Sequence, residues 1–191
     1  MTADPLIDIA GLGAMRGDRI LFKDQFATVH AGQICLLRGT NGSGKTTFLR
    51  LVAGLIPIEA GKLNVNGACH WVGHADGLKP HETPRQHLNH WARAWGSPAD
   101  IDGILARNGL ERAADVSATS LSAGQRRRSA FGRLQLVERP VWLLDEPFSA
   151  LDAEGRTLIA DQVTAHCANG GTVVAAVHGN SPLQADLELT L

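Results

Sequence analysis

The sequence predicts an α/β fold: a mostly parallel sheet covered by helices on both faces, preceded by a small antiparallel β section at the N-terminus and interrupted by an inserted helical segment. Three observations carry this reading. The compact apolar runs 34–38, 141–144 and 172–177 have the composition of strands buried on both faces. Helical patterns over 45–53, 122–137 and 153–168 alternate with them, the order that builds a parallel sheet. The stretch 77–130 is helical and contains no strand, as an insertion would be.

In chain order, 6–12, 19–22 and 26–29 read as short strands, with turn signals at Gly11, Gly13 and Gly17-Asp18. The run 34–38 leads into a glycine-rich turn and then into the helix 45–53. Short strands are predicted at 63–65 and 70–73, and a loop over 77–84. From 84 to 110 the pattern is helical, with Leu88, Trp91 and Trp95 on one face and a second segment around 101–105. A long helix over 122–137 stops before Pro140, because the residue before a proline avoids helical backbone. The helix 153–168 ends at Asn169-Gly170-Gly171, and 187–191 adds an edge strand.

The 191 residues suit a single domain, 1–191, with its core over about 1–76 and 131–191 and the insertion over about 77–130. Hydrophobic residues make up 44% and charged residues 19%, enough to build a core. Eighteen Lys plus Arg against nineteen Asp plus Glu give a net charge of −1, so no global field draws in nucleic acid. No apolar run approaches the roughly 18 residues of a spanning helix, and Met1-Thr2-Ala3-Asp4-Pro5 lacks the basic start of a secretory signal. These features point to a protein made in the cytosol. Cys35, Cys69 and Cys167 have neither disulfide nor zinc spacing and read as small buried hydrophobes. Glycine is in excess, 21 of 191 against an average usage of about 7%.

The strongest local signal is Gly39-Thr40-Asn41-Gly42-Ser43-Gly44-Lys45-Thr46, which matches GxxxxGK[ST] between a buried strand and a helix. Bare glycines let backbone N–H groups turn toward a phosphate, and the helix N-terminus adds its partial positive charge. In that setting Lys45 reaches the β- and γ-phosphates of a bound nucleotide, the Thr46 hydroxyl ligates Mg²⁺, and Thr47 follows on the same turn, a pattern that by itself leaves kinases, GTPases and motors open. Asp145 and Glu146 end the strand 141–144, which is taken to lie beside the phosphate-loop strand. There Asp145 would hold Mg²⁺ and Glu146 would polarise the attacking water. A pair of this kind standing alone also fits an ordinary acidic turn. Leu121-Ser122-Ala123-Gly124-Gln125 opens the long helix, with Ser122 as N-cap and backbone N–H groups offered to an anion.

Together these segments resemble the ATP-binding cassette family: RGTNGSGKT stands at its phosphate loop, LSAGQ at its signature, VWLLDEP at its Walker B strand, Ser149-Ala150-Leu151-Asp152 at its D-loop and His178 at its switch histidine. The resemblance covers almost the whole chain. Arg38 to Gly42, Val72-Gly73-His74, LSAGQRRR and the lack of a C-terminal extension are similar to the ATPase subunits of cytochrome c biogenesis, or heme exporter, systems. The resemblance implies a RecA-like core, ATP and Mg²⁺ as ligands, and a head-to-tail pair of copies. In that pair Lys45 of one chain and Ser122 and Gly124 of the other hold one γ-phosphate. It implies catalysis by Glu146, His178 and Lys45, transmembrane permease subunits on separate chains, and a place on the cytoplasmic face of the membrane. A soluble ATPase of an iron–sulfur scaffold, the ATPase of another small-substrate transporter, or a nucleotide-gated binding module would carry similar motifs.

Two positions depart from the wider family. His74 falls at the glutamine that touches Mg²⁺, and a neutral imidazole could accept a hydrogen bond from a metal-bound water there. The chain has no tyrosine, and Met15-Arg16-Gly17 stands where an aromatic would stack on adenine. Arg16 is the candidate for stacking, the alternative being a solvated arginine. Five of eight histidines, His70, His74, His81, His87 and His90, fall within 21 residues. They read as a solvated surface or a membrane-subunit contact rather than a heme or metal site. Arg126-Arg127-Arg128 points three ways around a helix and is not a nucleic-acid patch. Trp91 and Trp95 pack the insertion and, with the loop 74–84, border the surface that the resemblance gives to a membrane partner.

Overall fold

A computed structural model describes residues 4–191. The chain divides into two compact units, one formed by residues up to 73 with 139–147 and 162–191, the other by 74–138 with 148–161.

The first unit holds two sheets. In the antiparallel one, β1 (Ile7–Arg16) lies between β2 (Arg19–Val29) and β4 (Ala60–Val65). Two long strands thus replace the three short ones expected before residue 30, and the chain reverses only at Gly17-Asp18. Gly11 (φ +64°) marks a bulge between Ile9 and Leu12 instead of a turn. The reason is one of parity: Ile7 and Ile9 face the core before the bulge, Leu12 and Ala14 after it. One extra residue moves the inward set by one position. Broken alternation of this kind reads, in sequence, as a strand end.

The second sheet is wholly parallel. Its order is β5 (Cys69–Val72), β6 (Val141–Asp145), β7 (Thr172–Ala176), β3 (Ile34–Arg38) and β8 (Leu187–Thr190). One expectation is corrected here: β7 separates β6 from β3, so the strand ending at Asp145 is not the neighbour of the phosphate-loop strand. Every residue of β6 and β7 is buried, as runs lacking alternation require. Helix α1 (Lys45–Val52) buries Phe48, Leu49, Leu51 and Val52 in one core with Ile7, Leu12, Leu37, Leu143 and Val174. The Phe48 ring packs on Phe22, with centroids 5.7 Å apart. Cys35 and Cys167 are buried, and burial pushes their thiols up to about 12 and about 11. Cys69 is only half-buried, against expectation.

The second unit is helical: α2 (Pro84–Trp95), α3 (Ile101–Arg107) and α4 (Ala123–Gly132) close on Leu88, Ile104, Leu105, Leu110 and Leu121. Thr83 and Gln86 form a reciprocal capping box on α2, with Pro84 in its first turn. The predicted long helix 122–137 is shorter. It ends at Gly132 and tightens to a 3₁₀ turn over Arg133–Gln135. A Cβ at Gly132 would stand 3.0 Å from Leu88, so the glycine permits close packing where the helix gives out. Helix α5 (Ala153–Ala168) runs from this unit into the first.

The arginine triplet does point three ways, and all three side chains are used within the unit. Arg126 donates to the Leu121 carbonyl (2.7 Å) and Arg128 to that of Asn108 (2.9 Å). Arg127 is buried, with its guanidinium over Phe131 and 3.4 Å from Asp76. Trp91 and Trp95 pack on one another, centroids 4.9 Å apart, and the Arg133 guanidinium lies over the Trp91 ring. The solvated reading of the histidine cluster fails at two positions: His70 and His87 are buried, His87 with its Nδ1 3.1 Å from Glu82.

Two expected outcomes follow from the first unit. Phe48→Ala should destabilise by about 3–5 kcal/mol, read by urea unfolding, because it empties a site closed on all sides. His166 stacks on Trp142 (centroids 4.0 Å, planes 7° apart), and burial lowers its pKa below the usual 6.5. The unfolded chain then takes the proton more readily, so this contribution is complete above about pH 6.5 and is lost as pH falls through the lowered folded value. Thermal unfolding should accordingly show a weaker fall in stability toward pH 5 in His166→Phe than in the native chain.

Candidate functional site: a phosphate loop between β3 and α1

The loop that joins β3 to α1 owes its shape to three glycines. Gly39, Gly42 and Gly44 stand at φ +151°, +80° and +108°, where side chains are strained. Space is short as well: a Cβ on Gly39 would lie 2.8 Å from the Leu191 carbonyl oxygen, and one on Gly44 3.0 Å from Leu21 and Phe22. Thr40, Asn41 and Gly42 are exposed at the rim. No side chain caps α1 and no acidic residue sits in its first turn, which contains Lys45, Thr46 and Thr47. The helix end therefore keeps its positive partial charge for an outside anion. Ser43 Oγ is buried without a hydrogen-bond partner. A buried, unmatched hydroxyl beside an uncapped helix end fits a phosphate cradle.

Lys45 is 7% exposed and folds back on this loop, donating to the carbonyls of Gly39 (2.8 Å) and Thr40 (3.0 Å). Burial lowers its pKa, with Glu146 and Asp145 opposing the shift. The Thr46 hydroxyl donates to Asp145 Oδ2 at 2.8 Å, linking α1 to the end of β6 even though β7 intervenes in the sheet. A hydroxyl and a buried carboxylate side by side are hard oxygen donors of the kind Mg²⁺ prefers, so these residues fit that ion. Glu146 follows in left-handed backbone (φ +51°), its N–H bonded to the Ala176 carbonyl at 3.0 Å. That unusual conformation turns its carboxylate out of the strand, where Oε1 lies 3.3 Å from His178 Nε2. Lys45, Thr46, Asp145, Glu146 and His178 thus gather in one unit from two strand ends and one helix.

The remaining predicted residues lie elsewhere. Arg16 is exposed at the end of β1, beside Met15, which is 49% exposed and pairs across the hairpin with Ile20. His74 is exposed, directly after Gly73, and belongs to the helical unit. In that unit Leu121 is buried, Ser122 and Ala123 are exposed, and Ser122 with Gln125 forms a capping box at the start of α4. A Cβ on Gly124 would stand 3.1 Å from the Ala150 carbonyl oxygen, so this turn packs on the 149–152 loop. Sequence reasoning missed Arg38 and Glu188. An arginine closing a buried run directly before Gly39 was the available signal.

A parallel sheet whose strand β3 feeds a glycine-built anion loop, with a carboxylate pair delivered from β6, defines the class of P-loop nucleotide-binding proteins. The ABC transporter family model matches residues 22–149. A cytochrome c biogenesis ATP-binding export protein CcmA from Hyphomonas neptunium is 50% identical over 187 residues, 98% of this chain and 97% of its own. The CcmA of Maricaulis maris is 42% identical, over 89% of this chain and 84% of its own. The chain belongs to the ABC transporter family, in the group of the CcmA ATP-binding proteins. The solved ATP-binding subunit of an ABC transporter superposes with a TM-score of 0.79 at 22% identity, covering 91% of this chain and 79% of its own. An ABC transporter ATP-binding protein from Pyrococcus furiosus gives 0.81 at 18%, covering 97% and 96%, and both show the shared fold.

The glycine geometry makes one further outcome measurable. Gly44→Ala forces a methyl group against Leu21 and Phe22 in left-handed backbone and should weaken ATP binding by roughly 10-fold or more, read by titration with a fluorescent ATP analogue.

Proposed function

We propose that residues 1–191 act as one nucleotide-binding domain, the ATP-hydrolysing subunit of a heme exporter or related export complex serving cytochrome c biogenesis. The observation that carries the reading is the joining of Lys45, Thr46, Asp145, Glu146 and His178 around one loop, in a chain half identical to a CcmA over nearly its full length. Two copies bind head to tail, so that the exposed Ser122 turn of one, with Gly124, faces the phosphate loop of the other. Separately encoded membrane subunits receive the pair at the cytoplasmic face. No helix among the described residues is long and apolar enough to cross a membrane.

ATP enters with its phosphates over the Gly39–Gly44 backbone. Lys45 exchanges the carbonyls of Gly39 and Thr40 for phosphate oxygens. Thr46 and Asp145 are the residues that would hold Mg²⁺, which when bound neutralises phosphate charge. Glu146 orients a water and takes its proton as the oxygen bonds to the γ-phosphorus. The bond to the β-phosphate oxygen breaks, leaving ADP and phosphate. His178 holds the Glu146 carboxylate and stabilises the γ-phosphate charge. Arg16 offers its guanidinium plane to the adenine at the rim.

Glu146→Gln should retain ATP and accumulate the closed dimer by size-exclusion chromatography, while hydrolysis falls by about 10²–10⁴-fold. Turnover near the native rate would overturn the assignment. In a strain lacking the native gene, the Lys45→Ala chain should fail to restore c-type cytochromes visible by heme staining.

A further inference from the structure

Arg38 is the last residue of β3, one step before the phosphate loop, and nothing in that motif asks for a charge there. Its guanidinium is engaged on both sides. Nε and Nη2 donate to the two carboxylate oxygens of Glu188 at 2.8 and 2.7 Å, a bidentate pair. Nη1 donates to the carbonyl of Gly179 at 3.0 Å. Glu188 lies on β8 opposite Leu36, so the contact to Arg38 runs diagonally along one face of the sheet. The pairing also holds the Glu188 carboxyl below the usual range.

Gly179 is the residue directly after His178. Strand β7 has ended at Ala176, and Gly179 stands in left-handed backbone (φ +60°) with no side chain of its own to anchor the turn. The Arg38 bond fixes the carbonyl of Gly179, the residue that follows His178, whose Nε2 is 3.3 Å from Glu146. We infer that Arg38, clamped by Glu188, is a positioning residue for the hydrolytic pair: it holds the turn after β7 so that His178 meets Glu146. The inference rests on the proposed ATPase reading and extends it to the edge strand β8.

The magnitudes separate this role from that of an ordinary surface ion pair. The Arg38 and Glu188 side chains are 34% and 48% exposed, and pairs exposed to that degree contribute little to stability. A displacement of about 1 Å at reacting groups can lower a rate by about 10²-fold. Loss of Arg38 should therefore spare the fold and depress the rate. The planar fork matters too, because a lysine offers one compact ammonium and cannot span a carboxylate and a carbonyl in fixed geometry.

The test uses the full chain co-purified with its membrane partners and reads ATPase rate, ATP affinity and thermal unfolding together. Arg38→Ala should lower kcat by about 10–100-fold while ATP affinity and Tm stay close to native. Arg38→Lys should recover part of the loss. The double variant Arg38→Leu with Glu188→Leu restores an apolar contact between β3 and β8 but no donor to Gly179, so kcat should stay low. Native kcat in Arg38→Ala, or full recovery in the double leucine variant, would overturn the inference and leave Arg38 a strand staple. ATP affinity falling in step with kcat would also overturn it, by showing that Gly39 rather than His178 had moved. A native complex without ATPase activity, or a Lys45→Ala complex with native activity, strikes the functional reading itself.

Discussion

The hydrogen bond between the Thr46 hydroxyl and Asp145 organises much of the first unit. It joins residues 99 apart in sequence, the first turn of α1 and the last residue of β6, across a sheet in which those elements' strands are not neighbours. A polar contact that reaches a buried carboxylate is demanding, because a carboxylate out of water must be matched by donors. The structure meets the demand by seating the elements that carry both groups on one apolar core. Phe48, Leu49 and Val52 seat α1 on the sheet, and Leu143 and Val174 form the floor. Packing brings the polar pair together, and the pair in turn fixes which rotation of α1 the packing accepts.

With α1 fixed, the loop before it has little choice. It must leave β3 at Arg38 and reach the first helical turn in six residues, 39–44, and it does so through three glycines at positive φ. Lys45 then folds beneath its own loop, where burial lowers its pKa and two carbonyls accept its protons. These contacts are ones that phosphate oxygens can replace without exposing the ammonium to an apolar wall. Binding by exchange of oxygens avoids most of the desolvation that a buried lysine would otherwise oppose.

The legible parts of this protein were those where one local rule decides. Strands β6 and β7 are unbroken apolar runs and were placed nearly to the residue, as were α1 and α5. The phosphate loop was visible because glycines at fixed spacing have few other uses. What the sequence concealed depends on partners remote in the chain. The bulge at Gly11 breaks alternation within β1 and so masquerades as a turn. The place of β7 between β6 and β3 is a topological fact with no local signature. His70 and His87 look like surface residues until the elements around them close, and Arg38 looks like a strand-end charge until β8 supplies Glu188.

The same logic explains why the hydrolytic pair needs support from several directions. Glu146 is turned outward by a left-handed backbone conformation, held by the bond from its N–H to Ala176, and such a conformation persists only where surrounding structure enforces it. His178 lies beyond the end of β7, one residue past the last bond of the strand ladder, which runs from the Val177 N–H to the Leu37 carbonyl at 3.1 Å. The bond from Arg38 to the Gly179 carbonyl adds a restraint beyond that ladder, on the far side of His178, and its anchor is a carboxylate on the outermost strand of the sheet. A rigid core alone would place the phosphate loop. Placing a carboxylate and an imidazole within reach of one another at the sheet's open end takes one backbone constraint on each, and the structure supplies them from β7 for the first and from β3 and β8 for the second.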